Sequence, residues 1–155
     1  LLTVVALSMA RKKVVVLFLE NRSFDSIFGL FPGVNGLTGR NFSNPSPNGT
    51  KIGVDFSPLF VVPCDPCHGL NCTSQKLFGI DMFRKHYSNL TAYQPTMQGF
   101  VEVEAQRGNQ DQNDYCDVMA CYSPKQLPVM NFLASEYALF DSYYCSVPGP
   151  TWPNR

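Results

Sequence analysis

The chain has no net charge, because twelve Lys and Arg offset twelve Asp and Glu in 155 residues. Without a basic excess there is no electrostatic case for nucleic acid or an anionic membrane as a partner. No apolar run approaches the roughly 20 residues that a transmembrane helix needs, and neither an internal repeat nor a charge run appears. An initiator Met is also lacking, since the sequence opens Leu1-Leu2-Thr3-Val4-Val5-Ala6-Leu7-Ser8-Met9-Ala10. That stretch has the length and apolarity of a secretory signal core, and Ser8 and Ala10 are small residues at signal-peptidase spacing. Residues 1–10 are therefore expected to be a signal remnant cleaved after Ala10. The alternative is an apolar first strand, interrupted by Arg11-Lys12-Lys13.

What is present fits an exported globular chain. Hydrophobic residues make up 45% and charged residues 15%, which is ordinary for a packed domain of this length. Asn41, Asn48, Asn71 and Asn89 each begin an Asn-x-Ser/Thr acceptor, while Pro45 disqualifies Asn44. Asn21 fits the pattern as well, yet is expected to stay unmodified because a glycan would block the role argued for it below. Six cysteines in such a chain predict disulfides. Cys64, Cys67 and Cys72 lie too close together to staple distant parts unless one pairs elsewhere, and Cys116 with Cys121 would close a small loop. Several connectivities remain open.

The run Val14–Leu19 is short, apolar and β-branched, and reads as a strand buried on both faces, as in a parallel sheet. Ser23 caps a short helix that Gly29 ends. Residues 31–58, rich in Gly, Pro, Asn and Ser, read as a surface excursion. Helical spacing over 74–90 predicts a helix, on which His86 is solvated, and the polar stretch 102–118 reads as loop. Ser123-Pro124 is a helix-start signal, and Pro128 starts a helix whose apolar side, Val129, Phe132, Leu133 and Tyr137, faces a core. Tyr137–Tyr144 reads as the next strand. Strand, helix and strand in this order point to an α/β layer architecture.

The chemistry-bearing residues lie at two ends of the chain. Glu20 and Asn21 follow the first buried strand, where α/β sheets collect their ligands, and supply two oxygen donors suited to a hard divalent cation. Thr151 stands between Pro150 and Pro153, in a stiff turn that suits a positioned nucleophile. Its hydroxyl needs a base or a metal to become reactive, and a metal on Glu20 and Asn21 would also polarise a phosphoryl oxygen. Asn154 and Arg155 follow, where a helix start and a guanidinium fork hold phosphate oxygens. Asp25 and Asp141 are candidate supporting carboxylates, the former through the dipole of its helix.

Five segments, Glu20-Asn21-Arg22-Ser23-Phe24-Asp25, Cys64-Asp65-Pro66-Cys67-His68, Met97–Val101, Tyr122–Val129 and Pro148-Gly149-Pro150-Thr151-Trp152-Pro153-Asn154-Arg155, occur in order along the chain. Together they resemble the phosphoesterase family of bacterial phospholipases C, plant non-specific phospholipases C and certain bacterial acid phosphatases. The resemblance implies an alkaline-phosphatase-like α/β sandwich with a largely parallel sheet, of which residues 11–155 form the N-terminal part. It implies a secreted, divalent-metal-dependent phosphoesterase acting on a phospholipid or small phosphate ester, with transient membrane-surface contact at most. It implies Thr151 as nucleophile and metal ligand beside Glu20 and Asn21, His68 facing the substrate phosphate, and Asn154 as a phosphate or nucleophile contact. The family completes its metal site with acidic residues well downstream, beyond Arg155, so the chain alone is expected to be inactive. Cys64-Asp65-Pro66-Cys67-His68 also matches the haem-attachment pattern, and Cys64, Cys67, Cys72 with His68 offer zinc ligands. Oxidised cysteines in an exported protein argue against both, so no haem is expected. The alternatives carried forward are an acid phosphatase of the same family and a secreted, glycosylated interaction protein without activity.

Overall fold

The computed structural model describes residues 2–8, 13–20, 22–62, 64–79, 94–108 and 115–154. The elements are β1 (Leu2–Ser8), β2 (Lys13–Leu19), α1 (Phe24–Phe28), β3 (Ser43–Pro45), β4 (Lys51–Gly53), α2 (Leu70–Phe78), α3 (Phe100–Gln106) and α4 (Pro128–Glu136). Short 3₁₀ turns at Tyr115–Asp117 and Trp152–Asn154 complete the set. The class is mixed α/β, with helices against small sheets.

The strand expected at Val14–Leu19 forms, but its surroundings correct the reading of it. β2 pairs antiparallel with β1, in a register running from Leu2 opposite Leu19 to Ser8 opposite Lys13. β3 and β4 form a second antiparallel pair, and parallel pairing among the described residues is confined to the bridge between Asp55 and Ala120. β2 is not buried on both faces: Val15 is 65% and Val16 57% exposed. The β-branched side chains fit a pleated backbone whether or not a second layer covers them, so the composition reported the strand and not its neighbours. Leu2–Ser8, the expected signal core, supplies the partner strand.

The core lies in the middle of the chain. Val101, Val103 and Ala105 of α3, Cys72 of α2, and Cys116, Ala120, Cys121 and Tyr122 are all buried. The expectation of loop over 102–118 is thus corrected at its start, where α3 forms and buries one side. Its charged residues concealed the pattern, because Glu104 points inward and is fully buried. α3 begins against α2 at Gly99, whose N–H donates to the Lys76 carbonyl at 3.1 Å. A side chain there would run into the Gln75 carbonyl, so only glycine permits this approach.

Local signals were read correctly at α1 and α4. The Ser23 hydroxyl accepts the Ser26 N–H at 3.1 Å, a cap that contributes about 0.5–2 kcal/mol. Pro128 occupies the first turn of α4. The Ser123-Pro124 signal starts only a turn, closed by Gln126 N–H on the Ser123 carbonyl. Two further expectations fail. α4 buries none of its side chains, with Val129 and Phe132 exposed, and 137–144 forms no ladder although it carries strand-like residues. Without a neighbouring strand to accept its backbone bonds, an apolar segment stays irregular. The helix expected over 74–90 is seen as α2 up to Phe78; the rest, with His86 and Asn89, lies outside the described residues.

Candidate active-site cleft

Two disulfides organise the middle of the chain. Cys64 pairs with Cys116 across 52 residues, and Cys67 pairs with Cys72. The small Cys116–Cys121 loop considered from sequence does not form; Cys121 is a buried thiol and Cys145 an exposed one. Burial and the neighbouring Asp25 push the Cys121 thiol up to about 11, so it stays protonated at neutral pH. With Cys64 and Cys67 both oxidised, neither sulfur is available for haem attachment or zinc ligation.

The Cys64–Cys116 bridge anchors an unusual backbone. Tyr115, Cys116 and Asp117 all take left-handed φ, at 45°, 63° and 55°, a conformation that costs non-glycine residues about 1–3 kcal/mol each. The disulfide holds Cys116, and the Asp117 carboxylate accepts the Leu59 N–H at 3.0 Å. Leu59 is fixed again through its carbonyl, which takes the Tyr122 hydroxyl at 2.7 Å.

Around this support lies a cleft of about 770 Å³. Arg22 and Ser23 reach it from the segment following β2, His68 from the disulfide-braced loop, and Thr151 and Asn154 from the C-terminal turn. The turn docks by Gly149, where any side chain would strike Leu70 of α2. His68 is about half exposed, with Nδ1 2.9 Å from the Pro66 carbonyl and 3.6 Å from an Asp65 oxygen. Nδ1 bonded in this way leaves Nε2 for a substrate, and protonation of the ring would turn the Asp65 contact into an ion pair. Arg22 stacks its guanidinium 5.3 Å from the Tyr122 ring centroid, an arrangement that steadies a cation at the cleft wall.

Asn154 closes the turn that carries Thr151. Its amide donates to the Val147 carbonyl at 2.9 Å and the Pro150 carbonyl at 3.0 Å, while its oxygen accepts the Val147 N–H at 2.9 Å. Both amide protons are thereby committed to the loop, which suits Asn154 to positioning Thr151. Glu20 stands exposed at the end of β2 and is not part of the cleft lining. Asn21 and Arg155 lie outside the described residues. Among the described residues no three of His, Cys, Asp and Glu gather to hold a metal ion. The described residues do not by themselves compose a metal site. Of the supporting carboxylates, Asp25 has its pKa raised by burial, partly offset by Arg40. Asp141 has its pKa lowered by the Asn35 N–H and the Ser142 hydroxyl.

Sequence reasoning did not single out three residues of this region. Arg22 sat within a quoted motif without a role, and Asp117 fell in the stretch read as loop. Lys76 is a buried part of the cleft lining and is paired with Glu104; only the apolar neighbours of Glu104 hinted at its burial.

Over 150 residues the chain is 38% identical to non-specific phospholipase C6 of Arabidopsis thaliana, covering 93% of this chain and 26% of that protein. Non-specific phospholipase C1 of the same plant is 38% identical over 152 residues, with the same coverage of both. The non-hemolytic phospholipase C of Burkholderia pseudomallei is 28% identical over 151 residues, covering 92% of this chain and 19% of that protein. The chain thus spans about a quarter of the length of the plant relatives it matches. The model of the Phosphoesterase family matches residues 11–155, and the chain belongs to that family.

Proposed function

We propose that this chain contributes to the catalytic site of a phosphoester hydrolase of phospholipase C type, with Thr151 as nucleophile and His68 serving the leaving oxygen. The observation that carries the proposal is that Arg22, His68, Thr151 and Asn154, drawn from distant parts of a phosphoesterase chain, line one cleft. In the first step the Thr151 oxygen bonds to phosphorus, its proton passing to solvent, as the bond from phosphorus to the alcohol oxygen breaks. The imidazolium of His68 gives its proton to that leaving oxygen. Water then attacks the phosphoryl-threonine: its oxygen bonds to phosphorus as the bond to the Thr151 oxygen breaks, one of its protons returns to His68, and Thr151 regains a proton from solvent as the phosphorylated group leaves. Arg22, and Arg155 in the same role, would balance charge on the phosphoryl oxygens. Asn154 would hold the nucleophile's turn.

The relatives named as phospholipases C support a phospholipid substrate, met at a membrane surface. No described helix is long and apolar enough to cross a membrane. A small phosphate ester, as in an acid phosphatase, is the second reading. Divalent-metal dependence, with Glu20, Asn21 and Thr151 as oxygen ligands, belongs to the proposal on donor chemistry and family resemblance alone. Activity should be lost on exhaustive chelation and return with added divalent ion; full turnover in chelator would remove the metal from the account. The uncovered apolar side chains of β2 support its place in a larger sheet of the alkaline-phosphatase type. The disulfides and the exposed Asn41, Asn48 and Asn71 support export and glycosylation, and the family match from residue 11 is compatible with cleavage after Ala10.

The test uses the full-length protein. Thr151→Val keeps β-branching but removes the oxygen, and should lower turnover of phosphatidylcholine by several orders of magnitude with folding intact. Thr151→Ser should retain measurable turnover. Near-parent activity in Thr151→Val would refute the nucleophile, and activity on p-nitrophenyl phosphate alone would favour the phosphatase reading.

A further inference from the structure

We propose that Lys76 and Glu104 are positioning residues for His68: their buried ion pair clamps the backbone of Cys67 and so sets where the imidazole stands in the cleft. The inference rests on the reading of His68 as the group that serves the leaving oxygen.

Lys76 is 6% exposed and Glu104 is fully buried. The Lys76 ammonium lies 2.7 Å from Glu104 Oε1 and donates to the Cys67 carbonyl at 2.7 Å. The same Oε1 accepts the Cys67 N–H at 2.8 Å. The three residues thus form a closed ring in which both polar groups of Cys67 are held by charged partners. The Cys67 carbonyl belongs to the peptide plane that enters His68, so Lys76 fixes the orientation of that plane directly. Charge-assisted bonds of this kind are the short, directional ones.

The disulfides cannot do this alone. Bridges at Cys64 and Cys67 limit how far the loop can stray, but they bond side chains and not the Cys67–His68 peptide itself. Nor does stability explain the pair well, because a buried ion pair is often no better than apolar residues of equal volume. The pair joins α2 to α3, one turn beyond the close contact that Gly99 makes with Lys76 at the start of α3. Helix packing is thereby linked to the placement of one side chain in the cleft.

The test is made in the full-length enzyme with Lys76→Met/Glu104→Gln, which removes both charges yet keeps an acceptor for the Cys67 N–H. Three readouts are taken: kcat and KM, the melting temperature, and the His68 C2–H proton resonance, assigned by its absence in His68→Gln. The double variant should remain folded, lose about 10- to 100-fold in kcat with little change in KM, and show a displaced His68 resonance. Introduced into His68→Gln, the same double change should cost nothing further, because it acts through the missing ring. Glu104→Asp, which keeps the charge that faces Lys76 but draws the carboxylate back from the Cys67 N–H, is the second variant and is read in the same way should the double variant fail to fold. A folded variant with parent kcat and an unmoved resonance would overturn the inference. So would a loss confined to KM, which would make Lys76 a substrate contact. Parent-like turnover in His68→Gln would defeat the catalytic reading instead; a displaced resonance would then still uphold the clamp, and an unmoved one would overturn it.

Discussion

The cysteine-braced middle of the molecule and its apolar flanks solve the same packing problem in opposite ways. Between Cys64 and Tyr122 the described backbone is cross-linked twice and its buried centre includes a charged pair, Lys76 and Glu104. In β2, in α4 and over 137–144 the side chains are far more apolar, yet Val16, Phe132, Phe140 and Tyr143 all stand exposed. Apolarity supplies a driving force only where another surface arrives to exclude water. In the middle, covalent bridges and hydrogen bonds bring the surfaces together, and even a carboxylate can then be enclosed. The cleft lies on the rigid side of this divide, with Thr151 docked onto it through Gly149 and Leu70.

The comparison can be broken most sharply at its charged centre. Lys76→Met takes the ammonium from the buried Glu104 and leaves it the more exposed Arg107 guanidinium, 3.7 Å from Oε2; it should cost up to about 3–5 kcal/mol of stability, read by denaturant unfolding of the full-length protein. A loss below 1 kcal/mol would mean that the pair is solvated and the middle is not the rigid region. On the flanks the same measurement should barely respond. Phe132→Ser replaces a large exposed side chain of α4, and should stay within about 0.5 kcal/mol of the parent if the helix face meets only water. A loss of several kcal/mol would reveal a covering surface.

The smallest effect is expected where the flank touches the loop after α1. The Asp141 carboxylate accepts the Asn35 N–H at 2.8 Å, which with the Ser142 hydroxyl lowers its pKa. A depressed folded pKa gives a contribution present above the ordinary carboxylate range and lost as pH falls through the lowered value. Asp141→Asn should therefore remove a slight fall in stability on acidification, seen in melting curves from neutral to acid pH. An unchanged acid limb would mean that this contact contributes nothing.

Much of the local structure was legible because its causes are local. Ser23 caps α1 through a bond to Ser26, three residues on, and Pro128 opens α4 by its own fixed φ. His68, Thr151 and Asn154 drew notice in another way, as parts of unusual motifs whose resemblance points to phosphoester chemistry, whereas Arg22 stood in its motif without a role, and Lys76 and Asp117 of the same cleft carried no such signal. What could not be read depended on partners distant in sequence. The pairing of Cys64 with Cys116 follows from the folded path between them, which spacing does not encode. Glu104 looked like a solvated residue because Lys76, the group that makes its burial possible, lies on another helix. β2 and 137–144 failed in the reverse sense, since their composition announces strands and says nothing of what covers them.

The central claim is that the Thr151 hydroxyl takes the phosphoryl group during turnover. It is tested most directly by mixing full-length protein with phosphatidylcholine, quenching in acid within a single turnover, and mapping the peptides by mass spectrometry. A phosphoryl adduct on Thr151 should appear and decay with turnover and be absent from Thr151→Val. Rapid hydrolysis with Thr151 unmodified, or with the adduct on another residue, would contradict it.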